Sequence, residues 1–406
     1  MDRRTAIISG GAFLAAGGPA LARTAPDPLS GAALMADVRD YVDFGIHHAG
    51  GAADRRTTAW MAAHWKKLGY AIERQAFEVP NSDTTAARLE LGRQALEGFA
   101  QPPIAFTPRG GLSALLVRWA PGADVRGKIV LATTAQGVTA ARAAGAAAVV
   151  LTAATPSGEV VANNTQPDAK PDIPLLFLAQ RHQARLEAAA GTPARLRIEG
   201  RGGVRTAHNT IATSGQAGKW LIISTPQSGW FTCGGERGPG IALSRGLSAW
   251  AKAERLPVRL LFISTSGHEW QYAGAEAFQH RPPPKPADTA LWVHLGATFG
   301  ARNYDGTKPQ DIPNTGRSFM VTPNLLAAAR VAFAGQPTIG DPLTANVSRA
   351  AGEYVNILNA GYTSAAGFWG TNAVFHTPID TAEATYPALL EQLARSCAAM
   401  IKASVG

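Results

Sequence analysis

The chain predicts an α/β protein: a mainly parallel central sheet covered by helices, interrupted by an inserted β/α unit. Three observations carry this expectation. After residue 209, apolar strand-like runs alternate with helical patterns, the order that builds a parallel sheet with helices on both faces. From about residue 89 to 202 the texture changes to Val, Ala and Gly with short strands and turns. The chain closes on a helix over 387–401, where Leu389, Leu390, Leu393, Cys397, Met400 and Ile401 share one stripe and Pro387 suits the first turn.

Taken in order, the first segment reads as an export signal. Arg3 and Arg4 precede a mild apolar stretch from 6 to 21, and Ala20-Leu21-Ala22 offers a small-x-small cleavage site. The paired arginines suggest the twin-arginine route, with an ordinary secretory signal as the alternative. Export over residues 1–22 implies a periplasmic or extracellular protein. Beyond it there is no apolar run of about 18 residues that could span a bilayer, so the mature chain is expected to have no transmembrane segment.

Residues 33–48 read as a helix. Residues 55–68 place Trp60, Met61, His64, Trp65 and Leu68 at helical spacing, with Gly69 as a stop. A strand over 70–79 follows from the alternation of Tyr70, Ile72 and Phe77 with polar residues. The domain limits expected are 23–87 and 203–406 for the main α/β domain and 88–202 for the insertion. Within the insertion, a turn at 125–128 feeds a buried strand to 131, residues 140–145 form a small-residue helix, and 146–152 form a second buried strand. Strands over 172–178 and 194–199 close the unit. Residues 209–212 and 220–224 read as a strand pair returning the chain to the main domain. A helix over 240–253 and strands over 258–264 and 290–295 complete the pattern, and ligands should gather on the loops after the strand ends.

Composition bounds the function. The 406 residues allow two domains and an ample core; 46% are hydrophobic, 17% charged, and the net charge is +9. The positive residues are spread along the chain rather than clustered, which argues against nucleic-acid binding and for a generally cationic surface. Cys233 and Cys397 are the only cysteines. They are too few for a disulfide scaffold, although one bridge is left open.

The Gly-Lys-Ile-Val run from Gly127, followed by Ala144-Gly145-Ala146-Ala147 and Ile173-Pro174, resembles the protease-associated domain that many secreted peptidases carry as an insertion. The order helix, strand, insertion, Asn209-Thr210-Ile211-Ala212, strand, helix, strand and finally His376-Thr377-Pro378-Ile379-Asp380 resembles the di-zinc aminopeptidases and glutamate-carboxypeptidase-like exopeptidases. The resemblance implies a zinc-exopeptidase-like fold and two zinc ions held by a His, a bridging Asp, a Glu, a second Asp and a final His. A Glu beside the zinc-binding Glu would act as general base.

Much of that set is replaced here. Pro226 falls where the first His should be, and proline offers a metal nothing. The bridging Asp position reads Ala242, with Glu236 upstream of the glycines and unable to substitute. His268 stands in place of the general base and can also accept a proton near neutral pH, or can simply fill the space. Glu269 keeps a ligand position, His294 takes that of the second Asp, and His376 is the last ligand. Glu269, His294 and His376 together would make a two-His-one-carboxylate site for a single zinc. At most one zinc ion is therefore expected, and the family's two-zinc pair is not.

Ser228, Trp230, Trp270, Tyr272 and Trp369 flank the expected cleft and could line a substrate pocket. Ser228, Thr232 and Cys233 lack the Gly-x-Ser-x-Gly elbow of a nucleophile. Glu353 supports the register and is assigned no role. His47, His48, His64, His182, His208 and His280 lack ligand spacing and read as surface or packing residues. Two functions remain open: an exported hydrolase of a peptide or small amide with a remodelled site, or an inactive pseudo-peptidase that binds a peptide or partner protein. Oligomeric state is not readable.

Overall fold

The structure, a computed structural model, describes residues 27–406 except Gln216 and Pro282. The expected export signal at 1–22 lies outside the described residues. The main sheet has eight strands, β1 (Ala71–Pro80), β2 (Val204–Ser214), β3 (Trp220–Pro226), β4 (Arg259–Thr265), β5 (Thr289–Leu295), β6 (Arg317–Val321), β7 (Leu343–Thr344) and β8 (Ala365–Gly370), in the order β1-β2-β4-β3-β5-β8-β6-β7. Its middle four strands, β4, β3, β5 and β8, are parallel; β1 and β2 pair antiparallel with their neighbours, and β6 is antiparallel to β8 and parallel to β7.

The expected strand pair is corrected here. β2 and β3 do not pair, because β4 lies between them and bonds to both, antiparallel to β2 and parallel to β3. The helix between β3 and β4 makes that crossover possible, as parallel neighbours need a long connection.

Helices cover both faces. On one lie α1 (Gly31–Asp43), α2 (Ala52–Lys67), α3 (Gly238–Glu254) and α6 (Pro387–Val405), whose Leu34, Trp65, Leu247 and Leu393 belong to a single apolar core with Ile223 and Val293 of the sheet. On the other lie α4 (Ala273–His280) and α5 (Tyr354–Asn359), which bury Phe278 and Ile357 against Ile222 and Trp292. Strands buried on both faces read as continuous apolar runs, which is why Leu260 to Ile263 shows no alternation. Cys397 is a buried member of the α6 stripe, and Cys233 and Cys397 are both free thiols.

The second sheet belongs to the insertion. Its strands begin with Thr84–Leu91 and end with Pro193–Gly200, and its parallel centre, Leu112–Arg118, Ile129–Ala132, Ala148–Leu151 and Leu175–Phe177, has its own cores. No described helix is long and apolar enough to cross a membrane.

Candidate functional site

The parallel strands all end on one side of the sheet, where the loops after β3, β4 and β8 meet the start of α3. The loop after β4 turns sharply: Gly267, Gln271 and Tyr272 all have positive φ. The Ser228 hydroxyl organises that turn, accepting from the N–H groups of Gly267 (2.7 Å) and His268 (3.2 Å) and donating to Glu269 Oε2 (2.6 Å). Glu269 Oε1 accepts from the Ala49 N–H at 2.7 Å. Both carboxylate oxygens are thus taken by protein donors in a fully enclosed place.

His268 points the other way. Its Nδ1 lies 3.0 Å from Glu353 Oε1, and Glu353 also accepts from Thr265 Oγ1 at 2.9 Å. Burial pushes the Glu353 carboxyl up and the His268 imidazole well down, so the sealed environment favours the uncharged form of each. His294 is buried in β5 with Nδ1 2.9 Å from Ser224 Oγ, which accepts in turn from Trp292 Nε1 (2.8 Å); burial lowers its pKa to about 4.

The start of α3 holds what the sequence reading missed. Pro239 sits in the first helical turn, so the helix begins at Gly238 and Glu236 and Arg237 lie just before it, at the strand ends. Ala242, expected at the bridging position, lies a turn further on and faces the apolar core. Glu236 is therefore in the site, contrary to the sequence reading. Its Oε1 is 2.6 Å from Arg237 Nη2 and 3.1 Å from His376 Nε2, and Arg237 and Glu236 side chains are each 1% exposed. Burial alone would raise the Glu236 carboxyl, but the charges of Arg237 and His376 outweigh it and hold the group down to about 2. Arg237 Nε donates to the Ser228 carbonyl at 2.9 Å. Asp380, two bonds into the backbone through Gly235 N–H (2.6 Å) and Glu236 N–H (3.1 Å), is pushed up to about 8 by burial and by the Glu236 charge. The Pro at the helix start was the available signal: counting from it, rather than from the glycines, brings Glu236 and Arg237 to the strand ends.

His376 adopts a left-handed backbone (φ 58°), as do Cys233, Gln271, Tyr272 and Thr298 close by. Such strain in non-glycine residues gathers at functional or once-functional sites. The imidazole reaches in two directions. Nδ1 contacts the Ala162 carbonyl at 2.9 Å, while the Ala162 N–H donates to the His376 carbonyl at 3.0 Å. Thr165 N–H donates to the Glu269 carbonyl (3.0 Å), and Trp230 Nε1 donates to Asn164 Oδ1 (3.1 Å). Residues 162–165 of the insertion therefore roof the centre.

The three expected zinc ligands are not brought together. Glu269 faces Ala49 and Ser228, His294 faces Ser224 inside the sheet, and His376 faces Glu236 and the roof. Among the described residues no three His, Cys, Asp or Glu side chains form a group that could hold a metal ion. The donor set does not fit the zinc that the resemblance implies, since its nearest carboxylate already carries a guanidinium.

The expected substrate-contact residues divide. Ser228 and Trp270 are buried, Tyr272 packs edge-on against His268 (4.7 Å), and Trp369 packs over Tyr354. Trp230 lines an open space: a cavity of about 290 Å³ at the seam with the insertion, walled also by His48, Phe99, Phe231, Glu159 and Arg181. His48, expected as a surface or packing residue, thus faces that cavity. Beside His294, Ser224, Thr265 and Glu353 is a void of only about 10 Å³, room for one water at most.

Residues 92–186 match the PA domain family. No curated protein matches the chain in sequence. Among solved structures, a zinc aminopeptidase from Bacillus subtilis superposes with a TM-score of 0.73 at 17% identity, covering 94% of this chain and 96% of that one. A peptidase precursor from Shewanella amazonensis gives 0.66 at 16% identity, covering 91% and 94%. Glutaminyl cyclase from Porphyromonas gingivalis gives 0.51 at 10%, covering 93% and 100%. The chain has the fold of the zinc exopeptidases with a PA domain inserted, and its metal centre is degenerate.

Proposed function

We propose that this is an exported, peptidase-like protein that no longer hydrolyses peptides and instead binds an extended peptide or partner segment at the seam between its two units. The carrying observation is Glu269: both oxygens are held by Ala49 N–H and Ser228 O–H, and its carbonyl by Thr165 of the roof. A carboxylate fixed on two protein donors is a bolt rather than a metal ligand. The seam cavity, with Phe99, Trp230 and Phe231 as its wall and His48, Glu159 and Arg181 at its rim, suits a bulky apolar side chain flanked by polar backbone. The relatives named as aminopeptidases support a peptide as the occupant, and the signal-like residues 1–22 support export.

The test is a fluorescence-anisotropy screen of labelled peptides against mature protein, run beside an assay of amino-acid release with zinc added. Binding without release is expected, and Phe99→Ala should weaken it about tenfold. Zinc-supported release of amino acids that His376→Ala abolishes would sink the proposal. One observation favours the hydrolase reading: His268 and Glu353 have the spacing of a base and its orienting acid. On that reading His268 is the base, the substrate is a peptide or small amide, and no more than one zinc is held per chain.

A further inference from the structure

We propose that Arg237 is a built-in cation occupying the electrostatic place of a metal, so that the Glu236 carboxylate is paired with a guanidinium instead of zinc. This stands apart from the peptide-binding reading, because it concerns what holds the centre together.

The argument is geometric. Glu236 Oε1 and His376 Nε2 are 3.1 Å apart. The same Glu236 oxygen is 2.6 Å from Arg237 Nη2, so the positive charge this carboxylate faces is already supplied. The guanidinium is fixed by its Nε donation to the Ser228 carbonyl. That residue is also the organiser of the His268–Glu269 turn, so the cation is tied to two of the loops that would hold metal ligands. Beyond the Arg237–Glu236 and Glu236–His376 contacts, Arg237 Nη1 and Nη2 and both Glu236 oxygens have no hydrogen-bond partner among the described residues, which leaves this buried cluster to itself. The same positive charge acts on His268, His294 and Glu353, so its field covers the centre as an ion's would. A divalent cation entering beside a fixed guanidinium would meet repulsion in a low-dielectric surrounding.

Thermal melting of the mature full chain, after chelation and with added zinc chloride, tests the assignment. Neither treatment should move the wild-type midpoint. Arg237→Met, which keeps the stem and removes the charge, should lower it by about 10 °C, because Glu236 is left buried without its guanidinium. Zinc should restore part of that loss in Arg237→Met, and Glu236→Gln added to it should recover stability without zinc and abolish the response. Arg237→Lys, which keeps a charge, should fold and stay indifferent to zinc, and it keeps the test alive if Arg237→Met does not fold. A wild-type chain that yields a stoichiometric zinc and melts lower on chelation would overturn the assignment. So would Arg237→Met that melts like wild type or gains nothing from zinc, or Arg237→Lys that takes up zinc. Peptide binding is not read by any of these outcomes, so the two proposals fail separately.

Discussion

Two clusters at the junction of the insertion and the main domain use the same three chemical groups, an arginine, a carboxylate and a histidine. At the rim, Arg205 Nη1 lies 2.6 Å from Asp83 Oδ2 and His48 Nδ1 lies 2.8 Å from Asp83 Oδ1, with the Asp83 side chain 56% exposed. In the centre, Glu236 meets Arg237 and His376 with the carboxylate 1% exposed. The arginine contacts are of equal length, 2.6 Å, and the two carboxylates lie in opposite surroundings. Water reaches the Asp83 carboxylate and screens its ion pairs, whereas the second cluster has only itself. Composition and distance do not determine what an ion cluster does. Burial decides.

That contrast can be broken most directly by removing one carboxylate from each cluster. Glu236→Ala should cost about 3–5 kcal/mol in denaturant unfolding, since Arg237 would remain buried without a partner. A loss below about 1 kcal/mol would mean that water enters the centre.

Of intermediate size is the effect of pH, which should have opposite signs in the two places. Asp380, beside Glu236, is raised to about 8 by burial and the Glu236 charge. The folded state then holds a proton that the unfolded chain releases above about pH 4, so this contribution to stability is lost as pH rises from about 4 to about 8. Asp83 is lowered by its hydrogen bond with His48 and by Arg205. Its contribution is present above the ordinary carboxylate range and is lost as pH falls through and below that range. Melting curves between pH 3 and pH 9 should show Asp380→Asn losing stability-versus-pH slope above pH 4 and Asp83→Asn losing it at the acid end. Equal slopes in both variants would erase the distinction.

The smallest effect is at the rim. Asp83→Ala should change stability by no more than about 1 kcal/mol, and sodium chloride at high concentration should remove the difference from wild type. A salt-independent loss of several kcal/mol would show the rim to be as dry as the centre.

Much of the fold was legible in the sequence for local reasons. The α6 stripe, the stop at Gly69, and the unbroken apolar runs of β4 and β5 are each set by neighbours within a few residues. The insertion was legible through a short string of glycines and strand formers. The centre was less so. His376 and Glu269 were found from their motifs, but the register at α3 was taken from glycines, which placed Ala242 where the core is and left Glu236 and Arg237 unassigned. Glu353 could not be linked to His268, because 85 residues and three strands of the main sheet separate them in the chain. The roof was invisible for the same reason: Ala162 meets His376 across 214 residues through its own main-chain N–H and carbonyl, which carry no side-chain signature.

The Glu236–Arg237 pair also constrains where the sequence can go next. Losing Arg237 alone strands a buried carboxylate, and losing Glu236 alone strands a buried guanidinium, so each single step lowers stability while the joint step does not. Neutral drift takes single steps. A chain built this way crosses a valley to recover an ion-binding centre, and a substitution elsewhere that adds stability in advance is what would open the path.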